Sequence, residues 1–244
     1  MENAEDITLS FRAYIIQADS FTDATDAWDS VYGEGVAIND DTGIVYTDVA
    51  TAISEAEDGE TVRLLKNNQS LSGETDINND ITLDLDGYTL EAYHFMLYYD
   101  ADLTLTNGTL NCTTGIAQYN TVGEDSYGTG DITLIDVTLN VSSGTGIQFS
   151  TGTVTINQNS TVTSNSSVCV MVHPHTGDNT AVLNVYGTVE TTAKSYAISG
   201  NGECNWENAS VINIYEGALV KSSSPSAAIY HPQNGSMRQI VMWF

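Results

Sequence analysis

Six short apolar couplets recur along the chain: Ile81-Thr-Leu83, Leu103-Thr-Leu105, Ile132-Thr-Leu134, Val154-Thr-Ile156, Leu183-Asn-Val185 and Ile212-Asn-Ile214. Successive starts lie 22, 29, 22, 29 and 29 residues apart, the length of one coil of a repeat protein with insertions in some coils. No single coil can bury its own apolar face, so the coils must stack into one continuous core and leave their insertions to project.

Each couplet is followed six to nine residues later by a further apolar position: Leu90, Leu110, Leu139, Val162, Val189 and Leu219. A third apolar segment then appears as GIAQY at 115–119, GIQFS at 146–150, VCVMV at 168–172, YAISG at 196–200 and AAIYH at 227–231. Three strands of four or five residues per coil of about 22 predict an all-β parallel β-helix over residues 61–236. Seven such coils stacked about 4.8 Å apart give a rod about 30 Å long. The longer coils carry loops at 120–131, 173–181, 200–210 and 231–239, all after the third strand, so these should emerge from one face. Such loops are where a repeat protein commonly keeps its binding surface.

Ahead of the coils, residues 7–17 alternate and then run apolar as a strand does, and residues 20–30 are polar with small residues and Trp28. Val36-Ala-Ile38 and Ile44-Val-Tyr46 read as a hairpin about the turn Asn39–Gly43. Thr47 or Asp48 can cap a short helix over 49–56, within a segment 49–60 that closes the first coil against water. Residues 1–48 then form an N-terminal attachment region. At the other end, residues 237–244 finish on Ile240-Val-Met-Trp-Phe244. Such an apolar tail should be buried across the last coil or against another subunit, which makes a homo-oligomer the expected assembly.

Charge limits the partners. Six Lys and Arg against 32 Asp and Glu give a net charge of −26 over 244 residues, which repels phosphate backbones, anionic lipid and acidic polysaccharide. Nucleic-acid binding is excluded on that ground. A pectate-like substrate would need bridging Ca²⁺. No apolar run is long enough to span a membrane as a helix. The first residues carry acids where a secretory signal carries bases, and the last carry neither a sorting nor a lipidation motif, so neither export nor anchoring is expected. Cys112, Cys169 and Cys204 lack CxxC spacing and read as thiols without metal or disulfide work.

The stretch IVYTDVATAISEAEDGETVRLLKN followed by DITLDLDGYTL, together with YAISGNG and AAIYHPQNG, resembles the pectate-lyase-like right-handed β-helix repeats of bacterial surface proteins and phage fibres. The resemblance covers residues 44–236 and implies a right-handed helix in a structural or adhesive role. Lyases of that fold use Ca²⁺-binding acids with a basic proton acceptor, and its glycosidases use paired carboxylates. Arg12, Arg63, Lys66, Lys194, Lys221 and Arg238 all lie away from paired acids in the central coils. The polygalacturonase motifs Asn-Thr-Asp, His-Gly and Arg-Ile-Lys do not occur, so no catalytic residue is assigned.

Asp84 and Asp86 alternate and could share a Ca²⁺, although Leu83, Leu85 and Leu90 filling the core would leave both carboxylates solvated. Asp100 and Asp102 invite the same reading. His173-Pro-His175 is a weak metal motif and reads as a solvated loop. The eight Asn-x-Ser/Thr sequences fit turns and hydrogen-bonded ladders between coils better than glycosylation. Aromatic side chains are the candidate binding residues. Tyr186 and Tyr215 occupy the same register one coil apart and should stack, while Tyr119, Tyr127, Trp206 and Tyr230 lie in or beside projecting loops. The expected function is a non-enzymatic structural or adhesive protein on the exterior of a phage virion. It would bind other virion or surface proteins through residues 1–48 and a surface glycan through the rod. The competing readings are a fragment of a bacterial cell-surface adhesin and a Ca²⁺-dependent polysaccharide lyase.

Overall fold

Inward apolar residues with a period of two favour extended chain, and one such segment needs a neighbour to satisfy its backbone. The computed structural model describes residues 32–118, 129–173, 180–200, 210–224, 227–230 and 239–242. The described chain is all-β apart from short helical segments, and residues 35–244 form one compact unit.

The strands join in three parallel ladders. The first contains Glu60–Leu64, Ile81–Asp84, the leading halves of Leu103–Cys112 and Ile132–Val141, then Gly152–Ile156, Ala181–Val185, Ser210–Ile214 and Gln239–Met242. The second runs through the leading parts of Gln69–Ile77 and Thr89–Leu97, the trailing halves of Leu103–Cys112 and Ile132–Val141, then Thr161–Ser164, Thr188–Thr191 and Leu219–Ser222. The third takes the trailing parts of Gln69–Ile77 and Thr89–Leu97, then Ile116–Gln118, Ile147–Phe149, Val170–Val172, Ile198–Gly200 and Ile229–Tyr230. Each repeat visits the ladders in that order.

Register follows the couplets. Ile81, Leu103, Ile132, Val154, Leu183, Ile212 and Ile240 are successive partners in the first ladder. In the second, Leu90, Leu110, Leu139, Val162 and Val189 are partners as expected, but the next is Val220. Leu219 instead pairs with Thr188 and is 48% exposed. The corner Tyr215–Ala218 is four residues long, like Asn157–Ser160, and either corner puts the inward residue eight positions after the couplet starts. After the two-residue corner Tyr186-Gly187 the interval is six.

The corner between the first two ladders is tight where one strand supplies both. Asn107 (φ 55°) and Asp136 (φ 56°) turn it in the left-handed region that Asn and Asp tolerate best among residues with side chains. Gly108 must lack a side chain, because a Cβ there would stand 2.6 Å from both Leu85 Cβ and the Tyr88 carbonyl oxygen.

The first edge is closed. Ala37–Asn39 pairs antiparallel with Val45–Tyr46 on one side and Glu60–Leu64 on the other. Helix α1, Val49–Glu55, buries Val49, Ala52 and Ile53. Asp48 caps it by accepting from Thr51 Oγ1 and Thr51 N, each at 2.8 Å, and these bonds, the hydroxyl's first, hold the Asp48 carboxyl below the usual aspartate range. Both devices protect edge backbone and apolar cross-section from water. At the other end, Gln239–Met242 adds a further rung to the first ladder, which gives part of the expected apolar tail its place.

Four insertions connect the third ladder to the first, as expected: they leave after Gln118, Val172, Gly200 and Tyr230 and return by Ile132, Ala181, Ser210 and Gln239. The expected strand at 7–17 and the polar segment after it lie outside the described residues, as do most positions of these four insertions. Buried Gln118 ties down the root of the first. Its Nε2 donates to the Gly130 and Thr151 carbonyls at 2.8 and 2.7 Å, and its Oε1 accepts from Ser150 N and Thr151 N.

Candidate functional site

Strand alternation that buries Leu90, Leu110, Leu139, Val162 and Val189 turns the residue after each outward. Those residues are Glu91, Asn111, Asn140, Thr163 and Glu190, successive register partners in the second ladder, with Lys221 next. The first four form a hydrogen-bonded column, and the last two form an ion pair beyond it. Asn111 Nδ2 donates to Glu91 Oε1 at 2.6 Å, Asn140 Nδ2 to Asn111 Oδ1 at 3.0 Å, and Thr163 Oγ1 to Asn140 Oδ1 at 2.7 Å. Lys221 Nζ pairs with Glu190 Oε1 and closes the end.

This column is the floor of a groove of about 640 Å³. Thr113, Ser142, Asn165 and Thr192, from the turns leading to the third ladder, line one side. Four intervals separate Glu91 from Glu190, on the order of 19 Å, and the three floor residues between them are neutral. An amide offers two donors and two acceptor sites, so Asn111 and Asn140 keep capacity beyond the bonds they make to each other. Those mutual bonds also hold the two amides in fixed orientation. Cys112 borders the groove, but burial pushes its thiol up to about 12, and Cys169 is likewise pushed up to about 12. Neither is a nucleophile near neutral pH.

The aromatic candidates lie elsewhere. Tyr186 and Tyr215 stack as expected, with centroids 3.9 Å apart and planes 12° apart, at the corner between the first and second ladders. Their mutual hydrogen bond raises the Tyr186 phenol above its ordinary range. Tyr230 is in the strand Ile229–Tyr230 and stacks on Tyr196 at 4.8 Å, a pairing that the sequence pattern did not predict. Tyr119, Tyr127 and Trp206 lie outside the described residues, as do Pro174 and His175.

Of the two acidic candidates, Asp86 keeps a 47% exposed side chain as expected, and Asp84 needs correcting. Asp84 is not solvated: it is 7% exposed, and its Oδ1 accepts from Asp86 N at 2.9 Å and Asn107 Nδ2 at 3.1 Å. Asp86 has left the strand, with φ 48°, and pairs with buried Arg63, which also grips Asp40. The two carboxylates therefore do not flank one strand; they serve a corner. Among the described residues no three His, Cys, Asp or Glu side chains gather as a metal site.

A second acidic feature has the opposite character. Asp80, Asp102 and Asp131 stack one per repeat: Asp80 Oδ1 accepts from Asp102 N at 2.9 Å, and Asp102 Oδ1 accepts from Asp131 N at 2.6 Å. Burial, and then repulsion from Asp131, Asp80 and Asp100, raise the Asp102 carboxyl against the opposing effect of its amide bond.

The groove is not among the expectations drawn from the sequence, which rest on aromatic residues. Its signal is present there nonetheless, since each floor residue directly follows an inward apolar position of the second ladder. Comparison of the chain with protein-family models, curated proteins and solved structures finds no match.

Proposed function

We propose that the chain is a right-handed parallel β-helix that serves, without catalysis, as a structural and adhesive module on the exterior of a phage virion, gripping an extended polymer in its second-ladder groove. Parallel pairing in three ladders supports the helix. The hand and the exterior location rest on the resemblance over residues 44–236.

The groove carries the adhesive part of the reading. It is elongated, neutral along its middle and built from side chains that hydrogen-bond in both directions, as a surface for holding rather than transforming a polymer needs. Glu91 and Glu190 stand about 19 Å apart, well beyond the roughly 5–9.5 Å that separates the two carboxyls of glycoside hydrolases. A rigid stack of rungs also keeps these contacts in place without ordering cost on binding.

Immunogold labelling of intact particles tests location: label on the virion exterior is expected, and label confined to the host cell overturns the virion assignment. Incubation with polygalacturonate and Ca²⁺ should release no unsaturated products. Turnover abolished by Glu91→Gln or Glu190→Gln would replace the adhesive reading with an enzymatic one.

A further inference from the structure

We infer that the polymer in the groove is a neutral, extended glycan lying along the stacking direction, with one sugar to each rung from Glu91 to Glu190. This rests on the groove being the gripping surface proposed above.

Spacing is the first argument. The rungs repeat at about 4.8 Å, and an extended chain of equatorially linked pyranoses advances by nearly that distance per ring. Neighbouring rings of such a β-1,4 chain face alternately, so each ring meets one floor residue and every second ring presents the same edge of hydroxyls to every second floor residue. An extended peptide advances about 3.4 Å per residue, so its groups fall out of step with the rungs almost at once.

Chemistry is the second. Sugar hydroxyls donate and accept, and so do Asn111, Asn140 and Thr163 on the floor and Ser142 and Asn165 beside them. Among the described residues the lining includes no aromatic residue and no Arg, the anchors on which protein interfaces depend.

Charge is the third. Carboxylates at both ends of the groove, on a chain of net charge −26, disfavour uronic acids, sialic acids and phosphorylated glycans. Glu190 is held by Lys221, so that end offers little free positive charge to offset the repulsion.

The test is calorimetric titration of the full chain with neutral β-1,4-linked oligosaccharides, glucose-based and N-acetylglucosamine-based, of increasing length, beside oligogalacturonate of matched length. Affinity for a neutral series is expected to rise up to about five sugars, one for each rung from Glu91 to Glu190 with both glutamates counted, and then level off, with oligogalacturonate weaker. Thr163→Val, which removes one hydroxyl at constant shape, should weaken binding about tenfold. Asn165→Trp, at an exposed position beside the floor, should block the groove and abolish binding without disturbing the column.

Oligosaccharides that bind Asn165→Trp as well as the parent occupy another surface and overturn the inference. If no oligosaccharide binds, yet Asn165→Trp abolishes attachment of the chain to its target surface, the groove grips a polymer of another class, such as a protein. The ligand assignment then falls and the adhesive reading stands. If Asn165→Trp leaves that attachment unchanged, the adhesive reading itself falls.

Discussion

Tyr186 and Tyr215 stand face to face, 3.9 Å between ring centroids, although 29 residues separate them. Their backbones follow Val185 and Ile214, which are register partners. Asn213 Nδ2 donates to Asn184 Oδ1 at 2.8 Å just before them, so the stack continues an amide pair between the same two rungs. The contact is thus a clasp between the last repeats, on a different face from the groove.

Replacing Tyr215 by Ala should therefore weaken the chain without affecting the groove. The expected loss is about 1 kcal/mol from the aromatic pair beyond the area it buries. Urea unfolding checks the loss, and an oligosaccharide titration of the same variant checks that binding is unchanged.

Gln118 makes four hydrogen bonds inside the fold, so Gln118→Leu would strand two carbonyls and two amides away from water. Each buried unmet group costs about 1–3 kcal/mol. We expect a variant that is severely destabilised or fails to fold, read as a large drop in thermal midpoint. A midpoint within a few degrees of the parent would show that water or a shifted backbone replaces the side chain.

Asp102 gives a pH-dependent prediction. Its carboxyl pKa is raised in the folded chain, so the folded state binds that proton more tightly than the unfolded state. The charged form is a cost above the folded pKa, and the cost disappears as pH falls through the folded pKa to the unfolded value. Asp102→Asn keeps an oxygen for Asp131 N and removes the charge. It should stabilise the chain at neutral pH and lose that advantage in acid, as chemical unfolding at several pH values would record. A variant less stable than the parent at neutral pH would mean that the carboxylate's stronger acceptance outweighs its repulsion.

Thiol labelling should separate folded from unfolded chain. With Cys204 replaced by Ser, native protein at mildly alkaline pH is expected to react with a disulfide reagent very slowly, because burial suppresses the thiolates of Cys112 and Cys169. Both should react at once in denaturant. Rapid native labelling would show that these rungs open readily.

The couplets make the register of the first ladder legible in the amino-acid sequence, because an inward residue recurs with period two along a strand and once per repeat along the chain. Ile81, Leu103, Ile132, Val154, Leu183 and Ile212 need nothing more. The same reasoning fails at Leu219: choosing the more apolar neighbour ignores the length of the corner, and corner length decides which residue faces in. The floor of the groove is also implicit, one position beyond each inward residue of the second ladder.

What composition and spacing cannot supply are the relationships between repeats that depend on side-chain reach. Asp84 looks solvated in its own repeat, yet it is buried and accepts a hydrogen bond from Asn107, 23 residues on. Gln118 is a polar residue in an inward position, tolerable only because the root of an insertion brings it two carbonyls. Tyr230 looks like a loop aromatic and meets Tyr196 from the repeat before. The outward columns look alike in sequence, and the turns carrying Thr113, Ser142, Asn165 and Thr192 make one of them a groove. Sequence determined the strands, their order and their inward faces, because those follow from local periodicity and the need to bury apolar surface. Tertiary structure decided which polar residues are satisfied internally and which are left to meet a ligand, because that depends on neighbours contributed by the next turn of the chain.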